Sequence, residues 1–218
     1  MGKEESLKAG LVCSIIQFVR EKHAETIDKA YKYFWDDQTP DEFMSGTALS
    51  LGFLNFEDWL IFDYKANKEK ETFIDIYIKN NKLKDDETAL LKSLKDSAIS
   101  LYEVSSVARD KRIILKDLLM DSEHTLRDKS LTRGLNKGDI FATRLLTLDK
   151  KTCMSGCVYP YSADHKKTVL SYVGKQFKRY TKNVNPEGTM RDFLKDYGDV
   201  LNVIWMQMIM NAPQKNLI

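Results

Sequence analysis

Ser100-Leu101-Tyr102-Glu103-Val104-Ser105-Ser106-Val107-Ala108, then Arg109-Asp110-Lys111, then Arg112-Ile113-Ile114-Leu115-Lys116-Asp117-Leu118-Leu119: the fold turns on how this stretch is read. Both longer runs are rich in strand-forming residues, and the charged triplet between them reads as a hairpin loop. Met120-Asp121-Ser122 closes the second run, and residues 123–128 alternate charged with apolar or β-branched side chains. Residues 133–139 carry Gly134 and Gly138, which supply positive φ without steric cost. A fourth strand is expected over residues 140–148. A fifth, over 152–159, follows a turn at Asp149-Lys150-Lys151 and is stopped by Pro160. Short strands punctuated by turns about every eight to twelve residues indicate an antiparallel barrel or sandwich. Five of them over residues 99–161 suit a small closed barrel, SH3-like or OB-like, which leaves no bare sheet edge.

Outside that stretch the periodicity is helical. In the first arm, Leu11, Val12, Ile15, Ile16, Phe18, Val19, Ala24, Ile27, Ala30, Tyr31 and Phe34 recur at helical spacing. Cys13 falls within this stripe and reads as a packed thiol, whereas His23, among charged neighbours, reads as solvated. Thr39-Pro40-Asp41-Glu42 has the form of a cap and acidic first turn for a second helix. Asn55 before Glu57-Asp58 offers a further cap, and Phe53, Phe56, Trp59, Phe62 and Tyr64 concentrate the aromatic surface of a core. Helices led by Thr72 and by Lys84-Asp85-Asp86-Glu87 complete the arm. The reading is therefore α+β: an N-terminal helical region (1–98), the barrel (99–161) and C-terminal helices (162–218), packed as one unit.

Composition excludes several classes. At 218 residues the chain can bury a sizeable core, and a formal net charge of +2 provides no global field to draw in a polyanion. No apolar run approaches the roughly 18 residues of a membrane span, so no membrane partner is expected. Residues 1–5 carry acidic groups and no signal-type apolar segment, although Gly2 with Ser6 matches the minimal myristoylation pattern. Three cysteines, an odd number, point to a reducing cytoplasm rather than a disulfide framework.

Catalytic signatures are missing. Residues 133–139 lack the Gly-Lys-Ser/Thr ending that cradles phosphate, and neither a Gly-x-Ser-x-Gly elbow nor a His-Glu-x-x-His pair occurs. Asp63 and Asp117 are acids set in apolar runs. A general acid at either site would support a hydrolase, while a cap or turn acceptor is the simpler role. Cys153 and Cys157 form one pair of zinc-type spacing, with His165 as a third ligand and His124 as a remote fourth. In a regular strand the two cysteines would stand about 13 Å apart, so a turn at Ser155-Gly156 would have to bring them together. No cofactor is implied.

One order of residues is familiar. Phe56-Glu57-Asp58-Trp59-Leu60-Ile61-Phe62-Asp63-Tyr64, the Thr72-led helix, Asp86-Glu87, Ser100-Leu101-Tyr102-Glu103-Val104, Leu115-Lys116-Asp117-Leu118-Leu119, Gly138-Asp139-Ile140, Ala142-Thr143-Arg144-Leu145-Leu146 and Ser155-Gly156 follow one another here. Over residues 55–161 this order resembles a module of bacterial proteins that often carry a SEC-C zinc-binding motif. The resemblance implies no catalytic residues. The Cys-x-Cys and later Cys-Cys or Cys-His pairs of SEC-C itself are absent from this chain.

The second arm holds the strongest hint of a partner. Lys166, Lys167, Lys175, Lys178, Arg179 and Lys182 are interleaved with Tyr172, Phe177 and Tyr180, and Val169, Leu170, Tyr172, Val173 and Phe177 are expected to face the barrel, leaving the lysines outward. Cations for phosphates and rings for bases, beside a small barrel, are the parts of a single-strand binder. The expectation is thus a non-enzymatic binding or adaptor module for RNA or a ribonucleoprotein. The alternative is a protein–protein or homodimer module using Met206, Met208 and Met210 of the last helix; an uncharacterised hydrolase comes third.

Overall fold

The computed structural model describes residues 3–148 and 150–211. Over them the expected strands form, as β1 (Ile99–Ala108), β2 (Arg112–Asp117), β3 (Glu123–Leu126), β4 (Ile140–Leu148), β5 (Lys151–Met154) and β6 (Tyr159–Tyr161). The hairpin triplet turns through Asp110 at φ 55°, and Asp121 (φ 51°) and Lys150 (φ 60°) turn the later loops. Of the two loop glycines only Gly138, at φ 94°, uses the left-handed region. Gly134 instead ends a one-turn helix, α6 (Leu131–Gly134). The fifth expected strand divides: residues 155–158 leave the ladder through Gly156 at φ 125°, and Pro160 lies inside β6 opposite Phe141 rather than ending a strand. Among the described residues β6 pairs with β4 alone, so the proline, which has no N–H, sits on a sheet edge where none is needed.

The pairings return on themselves. β1 pairs antiparallel with β2 and with β4, β2 with β3, and β4 with β5, while β3 meets β5 in parallel through Leu126 and Thr152. Alternation along the strands then separates two faces. Tyr102, Val104, Ile113, Leu115, Leu126 and Phe141 share one buried cluster among the strands. Ile99, Leu101, Ile140, Ala142, Leu146 and Leu148 point the other way, into a larger cluster with the helices. β4 is covered on both faces, which explains its almost continuous burial.

The helical layer consists of α1 (Lys3–Lys22), α2 (Ala24–Phe34), α3 (Gly46–Phe62), α4 (Phe73–Asn80) and α5 (Asp85–Asp96) before the strands, and α7 (Lys166–Asn183), α8 (Met190–Asp196) and α9 (Val200–Met210) after them. The chain is thus a mixed α+β protein. Several local expectations change. The first arm breaks at His23, whose ring is wedged between Phe18 and Phe73 (centroids 5.4 and 5.3 Å) instead of being solvated. Cys13 is exposed, because Leu11, Ile15, Phe18 and Val19 define the buried face of α1 and Cys13 points away from it. Thr39-Pro40 opens only a 3-10 turn (Pro40–Glu42), and α3 begins at Gly46. Phe56, Trp59 and Phe62 are core residues as expected, but Phe53 is exposed.

The last expected helix divides at Tyr197-Gly198-Asp199. A Cβ on Gly198 would stand 3.0 Å from an Asp63 carboxylate oxygen, closer than an ordinary contact, so a side chain there would press on the buried acid. Thr189 and Asp192 cap α8 reciprocally: the Thr189 amide donates to Asp192 at 2.9 Å and the Asp192 amide to Thr189 Oγ1 at 3.2 Å. α7 packs on α8 and α9, α9 lies on β6, and Val169 and Val173 are buried. No helix among the described residues is long and apolar enough to cross a membrane. Gly2, of the myristoylation pattern, and Asp149 lie outside the described residues.

Candidate functional site

Helix α7 sorts its residues by face. Val169, Val173 and Tyr180 are buried, while Lys167, Lys175, Lys178, Arg179 and Lys182 are exposed. At 3.6 residues per turn these five cations fall within an arc of about 120° and extend over about 23 Å of helix axis. Among the described residues none of the five is in an ion pair, and Arg179 donates to Gln176 at 3.4 Å. Lys166 differs, since it pairs with Glu103 of β1 at 2.8 Å and ties α7 to the sheet. The three rings interleaved with these cations are buried or half-buried. Tyr180 is buried and donates to Asp196 at 2.9 Å, Phe177 packs on Phe193 (5.8 Å), and Tyr172 is half-buried. The helix therefore presents positive charge without exposed rings of its own.

A second feature is a cleft of about 1240 Å³ between α1, α3 and the β3–β5 side of the strands. Val12, Ile16, Ile61, Phe62, Leu148 and Met154 supply apolar walls, and Arg112, Arg127, Lys129, Lys150 and Lys151 lie along its strand side. Lys8 of α1 reaches across to the Ser155 carbonyl at 2.9 Å. All three cysteines line this cleft. Burial raises the Cys153 thiol, against the opposing charge of Lys8. Burial, reinforced by the charge of Asp58, pushes the Cys157 thiol up to about 12. Such thiols are protonated and poor nucleophiles at neutral pH. Among the described residues no group of three His, Cys, Asp or Glu is arranged to hold a metal ion, so Cys153, Cys157 and His165 do not converge. His165 stands on an exposed turn before α7. His124 Nε2 is 3.0 Å from Ser122 Oγ.

Beneath the cleft lies a buried charge network that the sequence reading missed. Arg144, fully buried on β4, donates from Nε to Asp58 at 2.8 Å, from Nη1 to the Ser97 carbonyl at 2.7 Å and from Nη2 to Asp63. Lys195 of α8 reaches the other Asp63 oxygen at 2.9 Å and the Phe62 carbonyl at 2.9 Å. Two carboxylates thus face two cations, joining α3, β4, α8 and the segment before β1. Burial pulls the Lys195 pKa down, against the attraction of Asp63. Asp63 is saturated by these partners, and Asp117 accepts from Ser100 Oγ (2.7 Å) and from the amides of Leu119 and Met120 (2.9 Å each). Both acids make structural bonds, and neither lines the cleft. The available signal for Arg144 was register: it shares the alternation of Ile140, Ala142, Leu146 and Leu148.

The methionines of α9 do not share a surface either, as Met206 is 3 % exposed and Met210 46 %. What fold and site define is an α+β protein with strands paired in a ring, a helical layer on one face and a helix with one cationic face. The chain belongs to a family of unknown function (DUF7986), which residues 53–196, from α3 through α8, match. Neither a curated protein nor a solved structure matches it.

Proposed function

We propose that this protein is a non-enzymatic module that binds single-stranded nucleic acid, with RNA or a ribonucleoprotein as its partner. The reading takes the ring of five strands as an OB-like barrel. The order β1-β2-β3-β5-β4 closing on β1, with α6 between the third and fourth strands, favours that type over the SH3-like one. Barrels of this kind recur as oligonucleotide binders. That analogy says nothing about this chain's own ligand, which has to be argued from its side chains.

The observation that carries the reading is the α7 stripe. Five exposed cations share one helix face and, among the described residues, none has an acidic partner, so that face carries a local positive potential that favours a polyanion. A protein partner acting through α9 is less well supported, since that helix is largely committed to the core.

The test is fluorescence anisotropy of a labelled single-stranded RNA at two salt concentrations. Engaging all five cations gives a log–log slope of affinity against salt of about −3.5. The triple variant Lys175→Glu, Lys178→Glu, Arg179→Glu abolishes binding at low salt. Unchanged affinity in that variant would remove α7, and with it the nucleic-acid reading.

A further inference from the structure

The cleft between α1, α3 and the strands has two unlike walls. On the helix side Glu5, Lys8, Ala9, Val12, Cys13 and Ile16 recur at steps of three and four residues, so one face of α1 runs along the cleft. From Glu5 to Ile16 that face covers about 16 Å of helix axis. Leu54 and Ile61 of α3 continue the apolar surface, and Leu54 is 50 % exposed.

The strand side is cationic. Ile113 and Leu126 are paired across β2 and β3 and buried; Arg112 precedes the one and Arg127 follows the other, so the two arginines stand side by side at the end of that ladder, both exposed. Lys129, Lys150 and Lys151 line the same side and are exposed as well. Among the described residues none of these five is in an ion pair. The acids of the cleft are engaged elsewhere or stand apart. Asp58 is held by Arg144 at 2.8 Å, Glu57 by Arg20 at 3.1 Å, and Asp128 accepts from the Ser130 amide at 2.7 Å. Glu5 belongs to the opposite wall. Charge on one wall of a cleft whose other wall is apolar focuses the field onto an anion lying between them.

At about 1240 Å³ the cleft exceeds the range of roughly 300–1,000 Å³ typical of small-molecule sites, and it suits a stretch of polymer. The one ring in its lining, Phe62, is 3 % exposed, so bases find no exposed ring to stack on. We infer that the cleft is the docking site of an acidic amphipathic helix from a protein partner. The partner's apolar stripe lies on α1 and α3, and its carboxylates meet the five cations of the strand side. A length of about 16 Å admits about three helical turns. None of these residues belongs to α7, so the inference goes beyond the nucleic-acid reading and does not depend on it.

The probe is a labelled peptide of about twelve residues, with leucine along one helical face and glutamate elsewhere. The full chain is expected to bind it in an anisotropy titration, less tightly as salt is raised. Cys13 reports the position, because it is exposed within the cleft. Bound peptide should slow its alkylation by iodoacetamide, with the modified cysteine located by mass spectrometry. Arg127→Glu with Lys129→Glu should weaken binding about tenfold or more, and both residues are exposed, so the fold tolerates the change. Leu54→Gln should weaken it about tenfold through the apolar wall, while the α7 charge reversal leaves it unchanged. Absence of binding, or binding that leaves Cys13 alkylation as fast as before, overturns the inference. Equal binding of a scrambled peptide of the same composition, which has no apolar face, does so too. An oligouridylate that protects Cys13 and displaces the peptide assigns the cleft to nucleic acid instead.

Discussion

Arg144 spends its guanidinium on Asp58, Asp63 and the Ser97 carbonyl, and its plane lies over the Phe62 ring at 4.9 Å. Burial weakens its charge, but the two carboxylates outweigh burial and hold it protonated. A buried ion network of this kind adds less to stability than its contact distances suggest, since each ion gave up hydration to enter. Breaking it from one side is another matter. Arg144→Met conserves much of the volume yet leaves two buried acids opposite Lys195 alone, and the expected loss is ~3–5 kcal/mol, read from urea denaturation at pH 7. Adding Asp63→Asn should restore part of it. A loss below ~1 kcal/mol would mean that water already screens these groups. Part of the network was legible, because Asp63 stands out as an acid in an apolar run. Arg144 was missed because a lone arginine in a strand reads as solvent-facing by composition, whereas its place among Ile140, Ala142, Leu146 and Leu148 puts it inside.

At the scale of elements, the strands were legible wherever regular alternation ran between two turn signals, and β4 has the limits expected of it. The divided elements were not. Residues 155–158 contain strand-forming types, but a side chain from α3 captures the backbone there. Asn55 is buried within α3, not at its start, where a cap would stand. Its amide donates to the Val158 carbonyl at 2.9 Å and its carbonyl accepts from the Val158 amide at 2.7 Å. One asparagine thus does for Val158 what a neighbouring strand would have done, and nothing local in the sequence announces a contact 103 residues away. Asn55→Ala leaves both Val158 groups without protein partners at a cost of ~2 kcal/mol. It should also speed hydrogen exchange at the Val158 amide more than at β5. Protection unchanged at Val158 would show that water substitutes fully.

For the whole molecule the question is whether strands and helices unfold as one. Trp35, Trp59 and Trp205 all lie in the helical core, whereas the cluster enclosed by the strands contains none of them. Tryptophan fluorescence therefore reports the helices, and amide exchange along β2 and β3 reports the strands. Two features argue for a single transition. β1 and β4 contribute one face to each cluster, so the larger cluster cannot disperse without uncovering the sheet. Arg144 adds a charge penalty to any state in which β4 stays folded while α3 and α8 depart, because Asp58, Asp63 and Lys195 leave with them. Urea unfolding followed by tryptophan emission and by far-UV circular dichroism should then give coincident midpoints, and exchange at Ile113 and Leu115 should track the global free energy. Strand amides still protected at urea concentrations where the tryptophans are exposed would make the ring of strands an independent folding unit. In that case the cationic α7, packed on α8 and α9 rather than on the strands, would have to be tested for binding apart from them.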